Sequence, residues 1–338
     1  MIGSDDSRQY TECLYEVING REIRVNACRS YGDTAVIPGE IGGLPVTELG
    51  AYTFSAGRRK APAGVWSGGA EDGLGLEETV GAGASQEAPP LLEGERLREL
   101  ILPESVKKVG AYGFYNCANL ESLTCHSHFN DIGAGAFTGC KKLTRLDIFM
   151  DEGETRPGLK DILSELRQEV HVTYRTKEGE TRLVFPEYYE DAVENTPARI
   201  VSVKVYGSGH FYRYCFDGRE LQFKDYDAQF ENLVIQDRAE LAAEAAIGRL
   251  RWPLHLSAEA KERYETYIHG HRAEAARWLL RERDGAGLKW LLKFSDFGRD
   301  ELAEVIQTAN QMQAAEELSF LMDYQHEKFR PKRRKFEL

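Results

Sequence analysis

The sequence has few cysteines, no long hydrophobic run and no excess of positive charge, and each absence excludes a class of protein. Six cysteines in 338 residues are too few for the disulfide framework of a small secreted domain, and a reducing compartment would keep them as thiols. No stretch approaches the roughly 18 apolar residues of a membrane-spanning helix. The N-terminus is acidic and polar, which is not the pattern of a secretory signal. We therefore expect a cytoplasmic protein without a membrane segment.

The charge balance disfavours anionic partners. The net charge is −12, from 55 acidic and 43 basic residues, and a field of this sign repels nucleic acid and anionic membranes. The exception is a basic C-terminal tail at residues 331–338 and just before it, comprising Lys328, Arg330, Lys332, Arg333, Arg334 and Lys335. A terminal charge run is typical of a solvated end. Nucleic-acid binding through this tail is the least favoured of the functions considered.

Catalytic and nucleotide-binding motifs are missing as well. The sequence contains no Gly-x-Ser-x-Gly elbow, Walker loop, dinucleotide fingerprint or His-Glu-x-x-His pair. Carboxylate pairs such as Glu77-Glu78 are more typical of a solvated surface than of an acid/base dyad. These absences favour a protein without catalytic activity or cofactor.

What the sequence does contain is an internal repeat. Three segments align without gaps, namely Val46–Phe54, Val106–Phe114 and Phe129–Phe137, and the last two continue together through Cys117, Leu120 and Leu123 against Cys140, Leu143 and Leu146. The later copies are offset by 23 residues, as from Val109 to Ile132, which falls in the range of about 20–29 for leucine-rich repeats. The repeat therefore predicts a solenoid.

An insertion interrupts the first repeat. The offset from Val46 to Val106 is 60, which leaves 37 residues beyond the repeat length. The stretch at about 56–94 is rich in glycine and has no periodicity, so it is interpreted as a mobile loop. Insertions in repeat arrays often lie on the binding face, so a functional loop is the alternative.

Within one repeat the inward and outward positions can be assigned. Alternation points Leu123, Cys125, Leu146 and Ile148 into the core and leaves Thr124 and Asp147 outside. Phe54, Phe114 and Phe137 are predicted to stack along the solenoid. The glycine that follows Val109 and Ile132 suits a sharp chain reversal.

These residues resemble a known family. The pattern Ile/Val-Gly-Ala-x-x-Phe-x-x-Cys-x-x-Leu-x-x-Leu, preceded in the first copy by Gly43–Thr47, is similar to the BspA-type leucine-rich repeat. Upstream, Leu14–Val25 alternates around Asn19-Gly20 and resembles the β-hairpin that caps such arrays. The resemblance covers about residues 10–150 and implies a short solenoid split by the insertion.

The rest of the chain is predicted to form a connector and a helical domain. Residues 151–236 read as a mixed α/β connector, with a helix at Leu159–Gln168 and a hairpin of Val170–Tyr174 with Thr181–Phe185. Residues 237–330 show helical periodicity, and their last helix pair loosely resembles a degenerate ankyrin repeat. The predicted fold class is α+β: a short leucine-rich-repeat solenoid with an N-terminal hairpin cap, a mixed connector and a C-terminal helical repeat domain.

Two clusters suggest chemistry. Cysteines and histidines of zinc-ligand type lie close in sequence, namely Cys117, Cys125, His126, His128 and Cys140. Because Cys117 and Cys140 share a repeat position, we interpret these thiols as small core side chains and predict no metal. The aromatic stretch Gly207–Phe216, which contains Arg213, favours packing, but it is also where we would place the active site of an uncharacterised enzyme.

The favoured function is protein binding or scaffolding, because solenoids present continuous surfaces to partners. The 23-residue register predicts three outward columns: Glu99, Ser122 and Arg145; Ile101, Thr124 and Asp147; Pro103, His126 and Phe149. Within these columns the predicted binding residues are His126 and Phe149, with Thr124, Asp147 and Arg145 beside them. A protein partner is expected; its identity and the oligomeric state stay open.

Overall fold

The structure is a computed structural model that describes residues 11–56, 64–67, 88–154, 156–195 and 200–329. The chain divides into two compact units, Met1–Tyr226 and Asp227–Leu338. The prediction of a mobile loop at about 56–94 falls mostly outside the described residues, as does most of the basic tail. The four residues Gly64–Ser67 within that insertion form a strand that pairs with the first strand of the chain.

The first unit is mostly β-structure. Its strands are β1 (Glu12–Ile18), β2 (Glu22–Arg29), β3 (Thr34–Val36), β4 (Glu40–Ile41), β5 (Leu44–Leu49), β6 (Gly64–Ser67), β7 (Glu99–Ile101), β8 (Lys108–Val109), β9 (Ser122–His126), β10 (Asp131–Ile132), β11 (Arg145–Phe149), β12 (Val170–Thr176), β13 (Gly179–Phe185), β14 (Tyr189–Asn195), β15 (Ile200–Tyr206), β16 (Phe216–Asp217) and β17 (Glu220–Leu221). Its helices are α1 (Leu159–Glu165) and α2 (Gly209–Arg213), and α3 (Phe223–Ala228) lies at the boundary.

The predicted hairpin is confirmed at the N-terminal end of the array. Strands β1 and β2 pair antiparallel from Glu12↔Arg29 to Ile18↔Glu22. Asn19 and Gly20 connect them with φ of 53° and 65°, the two positive values that a type I′ turn requires. Strand β2 then pairs in parallel with β5, so the hairpin covers the edge of the first solenoid sheet.

Among the described residues the second sheet has six strands: β3, β7, β9, β11 and β12 are parallel and adjacent in that order, and β13 pairs antiparallel with β12 at the edge. Leu100, Leu123, Leu146 and Val172 lie opposite one another on neighbouring strands and are buried. Because the same apolar position recurs on each strand, every turn covers the apolar face of the turn beside it. The N-terminal part is therefore a β-solenoid of about five turns, which confirms the predicted fold class.

The predicted phenylalanine stack is also confirmed. The ring centroids of Phe54 and Phe114 lie 5.6 Å apart and those of Phe114 and Phe137 lie 4.9 Å apart, and all three side chains are fully buried. Five residues before each phenylalanine, Leu49 pairs with Val109, and Val109 pairs with Ile132, on neighbouring parallel strands. The aligned residues of the repeat thus occupy equivalent places on successive turns.

The repeat glycines have a physical role different from the predicted chain reversal. Gly110 and Gly133 lack the positive φ of a left-handed turn. A Cβ at Gly110 would lie 2.5 Å from the amide nitrogen of Ala51, and one at Gly133 would lie 2.5 Å from that of Ala111. The position requires glycine because the backbones of adjacent turns approach too closely to admit a side chain.

The solenoid sheet continues into the stretch that sequence analysis assigned to a connector. Helix α1 forms where Leu159–Gln168 was predicted helical, although it ends at Glu165, and β12 and β13 pair as predicted, with Val170 opposite Phe185. Strand β12 also pairs in parallel with β11, from Arg145↔His171 to Phe149↔Arg175, and therefore forms a further turn. The domain boundaries of the sequence analysis remain predictions.

The second unit is helical. Its helices are α4 (Phe230–Gln236), α5 (Ala239–Arg251), α6 (Ala258–Gly270), α7 (Arg272–Arg281), α8 (Gly285–Phe294), α9 (Arg299–Gln311) and α10 (Ala315–Lys328). Helix α6 begins as predicted, with the Ser257 side chain accepting a hydrogen bond from the amide of Ala260. Successive pairs stack, since α5 packs on α7, α7 on α9 and α8 on α10.

Two of these helix pairs are joined by equivalent turns. Arg283, between α7 and α8, has φ of 54°, and Gln313, between α9 and α10, has φ of 53°. The next residue in each turn, Asp284 or Ala314, donates its amide to the carbonyl five residues earlier, at 2.9 Å in both cases. The predicted C-terminal helical region is confirmed, whereas its resemblance to ankyrin repeats stays a prediction.

Candidate functional site

The outward face of the parallel sheet brings the five predicted binding residues together. Thr124 and His126 lie on β9, and Arg145, Asp147 and Phe149 lie on β11; none of the five is buried. The parallel register places Thr124 beside Asp147 and His126 beside Phe149. The alternation of buried and accessible residues along both strands agrees with the predicted period of two.

One column on this face is a continuous stack of planar groups. The rings of His126 and Phe149 stack with centroids 5.2 Å apart, and the guanidinium carbon of Arg175 lies 5.1 Å from the centroid of Phe149. The 23-residue register predicts the first two residues of this stack but not Arg175. The step from β11 to β12 is 26 residues, from Phe149 to Arg175, because α1 lies between these strands, so the 23-residue register does not reach Arg175.

Ion pairs hold the charged residues of the face in place. The Nη1 atom of Arg175 lies 2.6 Å from Oδ1 of Asp147, and its Nε lies 3.4 Å from a Glu180 oxygen. Arg145 lies 3.7 Å from a Glu121 oxygen, and Arg98 lies 2.8 Å from the other oxygen of that carboxylate. Exposed pairs of this kind stabilise the fold little, but they fix the orientation of the Arg175 guanidinium over Phe149.

A polar cluster lies at the end of the same column, where β9 and β11 finish. Asp151 accepts a hydrogen bond from Ser127 Oγ at 2.7 Å, and its carboxylate faces the Nδ1 atoms of His126 at 3.2 Å and His128 at 2.8 Å. Burial alone would raise the pKa of Asp151, but the contacts with Ser127, His126 and His128 outweigh it and lower the pKa. Asp151 is therefore ionised at neutral pH.

The zinc-type cysteines lie in the solenoid core. The thiol of Cys117 donates to the carbonyl of Phe54, and that of Cys140 donates to the carbonyl of Phe114, which are equivalent contacts one turn apart. Burial raises the pKa of Cys117 and of Cys125 to about 12, and it raises the pKa of Cys140 as well. Thiols that stay protonated and buried pack as small side chains rather than acting as thiolate ligands.

The aromatic stretch Gly207–Phe216 also contributes to packing. Arg213 donates to the backbone carbonyls of Leu166, Pro186, Gly209 and Gln168 at 2.7–3.0 Å. Its burial lowers its pKa to about 10, which leaves the guanidinium charged at neutral pH. Tyr212 and Cys215 beside it are buried. Arg213 thus joins several segments of the first unit through their main chains.

Short parallel strands and stacked phenylalanines of this kind are the features expected of a leucine-rich-repeat region. Residues 92–154 match the family model described as BspA type leucine rich repeat region (6 copies), which confirms the resemblance found in the sequence. Searches of curated proteins and of solved structures give no significant match. None of the helices among the described residues combines the length and apolar character needed to cross a membrane.

Proposed function

We propose that this protein is a binding or scaffolding protein that recognises a protein partner through the outward face of the parallel sheet. The observation that carries the proposal is the stacked column of His126, Phe149 and Arg175. Aromatic and arginine side chains dominate the binding energy of protein interfaces, and leucine-rich repeats commonly present such surfaces to partners.

The geometry of the column suits recognition. Ordering long side chains on binding costs about 0.5–1.5 kcal/mol for each. Here Phe149 is held between two planar neighbours, and Asp147 restrains Arg175, so part of that ordering has taken place before a partner arrives. Phe149 as a residue remains 36% exposed, which leaves apolar surface to bury.

The proposal is tested by capturing partners with the full chain and with a His126→Ala/Phe149→Ala variant. We expect the variant to lose the captured partner while its melting temperature stays nearly unchanged, because both side chains lie outside the core. A photo-crosslinking residue in place of Thr124 should attach the same partner. Retained capture, or crosslinks found only at other surfaces, would refute the sheet face as the binding site.

A matched control uses exposed aromatic residues from another surface. Tyr112 and Tyr115 follow β8, are 40% and 36% exposed and contact each other edge to face. The Tyr112→Ala/Tyr115→Ala variant removes a similar amount of aromatic surface and should capture the partner normally. A loss of capture in both double variants would indicate non-specific aromatic adhesion instead.

The other classes of function are weaker proposals. An enzyme centred on Gly207–Phe216 is disfavoured by the structural use of Arg213, whose donors are engaged by carbonyls. Nucleic-acid binding through the basic tail would appear as salt-sensitive binding lost on deletion of 330–338. We place the protein in the cytoplasm as a further proposal, supported by thiols that serve as core side chains.

A further inference from the structure

Three side chains with metal-binding atoms converge beside the stacked column. Glu104, His128 and Asp151 each offer one ligand atom, and these atoms lie within 4.8 Å of one another. They come from the ends of three successive strands, because Glu104 follows β7, His128 follows β9 and Asp151 follows β11. We propose that these three residues form a binding site for a divalent transition-metal ion of the zinc type.

The solenoid register explains why the three residues meet. His128 and Asp151 are 23 residues apart and therefore occupy the same position on adjacent turns. Glu104 lies one turn earlier and one residue before the equivalent position, which is Ser105. Ligands from adjacent turns approach one another because parallel strands are only about 4.8 Å apart.

The donor set suits zinc. One imidazole nitrogen and two carboxylate oxygens are ligands that zinc accepts at about 2.0–2.2 Å, and three protein ligands leave a position for water. His128 Nδ1 and Asp151 Oδ2 lie 2.8 Å apart. A tetrahedral ion needs about 3.3 Å between its ligand atoms, so a shift of about 0.5 Å is required.

The residues around Asp151 support it as a ligand. Ser127 is fully buried and donates to the carboxylate, and His126 faces the other carboxylate oxygen. Partners of this kind fix the orientation of a metal-binding carboxylate.

An ion can reach the site from solvent. Glu104 is exposed, and the His128 side chain is 40% exposed. A groove lined by Gly39, Pro103, Ser105 and His128 opens beside them. Glu40 and Lys107 line the same groove with opposite charges, so the net negative charge at the site comes from the proposed ligands.

The proposal departs from the sequence expectation of no metal. That expectation came from Cys117, Cys125 and Cys140, which lie in the core. Of the zinc-type residues in the sequence only His128 belongs to the proposed site, and the 23-residue register relates it to Asp151 but places Ser105, not Glu104, at the equivalent position on the preceding turn. The metal site does not depend on partner binding, since Glu104 and Asp151 are outside the proposed binding column.

The test is calorimetric titration of the purified full chain with zinc chloride after treatment with a chelator. We expect one ion per chain, with affinity lowered at least about tenfold in Glu104→Gln, Asp151→Asn and His128→Gln. Glu104 is exposed, so its variant folds whatever the effect of the others.

Cobalt(II) absorption and a surface control complete the experiment. Nitrogen and oxygen ligands give weak visible bands, whereas thiolates add an intense near-ultraviolet band, so its appearance would place the ion on cysteine and overturn the proposal. The control is His326→Gln, at an exposed histidine of α10 that belongs to neither group of converging metal-binding side chains. Absence of stoichiometric zinc, or a loss of affinity in His326→Gln but not in Glu104→Gln, would equally overturn it.

Discussion

The two units of this protein build their cores in different ways. In the solenoid one position repeats along the sheet, so Phe54, Phe114 and Phe137 form a single stack. In the helical unit the buried charged pair Asp227 and Arg249 lies in the core, joined by two hydrogen bonds of 2.8 and 3.0 Å. The comparison teaches that a repeat spreads stability over equivalent positions, whereas a helical unit can depend on one cluster.

The largest expected effect tests the solenoid stack. Phe114→Ala removes the central ring and should lower the free energy of unfolding by about 3–5 kcal/mol, because neighbouring turns cannot collapse into the space. Chemical denaturation measures the loss. Hydrogen exchange should show it across β8–β11, with the helical unit unaffected. Faster exchange confined to one turn would contradict the shared stack.

The second largest expected effect tests the buried cluster of Asp227 and Arg249 in the helical unit. Arg249 is fully buried and also donates to the carbonyl of Leu254, while Tyr264 donates to the Asp227 carboxylate. Arg249→Met leaves that carboxylate buried without its cation and should destabilise the helical unit by about 3 kcal/mol. The Asp227→Asn/Arg249→Met double variant removes both charges and should recover most of the loss. Equal destabilisation of the single and double variants would show that the loss of stability comes from the changed shape of the side chain and not from the unpaired charge.

The third effect sharpens the account of the repeat glycines. Gly133→Ala brings a Cβ within 2.5 Å of the neighbouring backbone and should cost about 2–3 kcal/mol, since backbone cannot move aside. Gly20→Ala meets nothing within 4 Å and strains only a positive φ, so about 1 kcal/mol is expected. Thermal denaturation of both variants gives the comparison. A larger loss of stability in Gly20→Ala than in Gly133→Ala would show that chain reversal, not close backbone approach, is the main reason for glycine.

The smallest expected effect is on how the stability of the protein changes at acidic pH. Asp151 has a lowered pKa, so its contribution to stability is present above the unfolded value of about 3.9 and is lost as the pH falls through the lower folded value. Between pH 5 and pH 2 the wild type should therefore lose more stability than Asp151→Asn. Asp131→Asn, at an exposed aspartate, serves as the control and should follow the wild type. If the stability of the wild type and of Asp151→Asn falls equally with pH, the contacts of Asp151 do not contribute to the stability of the solenoid.

Much of the fold could be predicted because its signals are local. The hairpin follows from Asn19-Gly20, the stack from a phenylalanine in each aligned segment, and the outward residues of β9 and β11 from alternation. Helix α6 begins where Ser257 caps it. Each of these features depends on residues within one turn or one repeat. Over such short distances the number of residues between two positions determines where they lie in the structure.

The remaining features depend on contacts that spacing does not encode. Strand β12 adds a turn after an irregular step, which places Arg175 on Phe149. Arg213 binds carbonyls 27–47 residues away, except for one in its own helix. The five predicted binding residues do share one face, but their role in binding is a proposal that the capture experiment tests.

The sequence by itself determined the repeat length, the inward and outward sides of each strand and the family of the repeat, because steric periodicity and apolar burial act between near neighbours. Tertiary structure alone decided that β12 adds a turn after an irregular step, which places Arg175 on Phe149, and that a ligand atom of Glu104 lies within 4.8 Å of those of His128 and Asp151. The physical reason is that strands stack about 4.8 Å apart whatever the length of chain between them, so side chains distant in sequence become neighbours only when the turns are assembled.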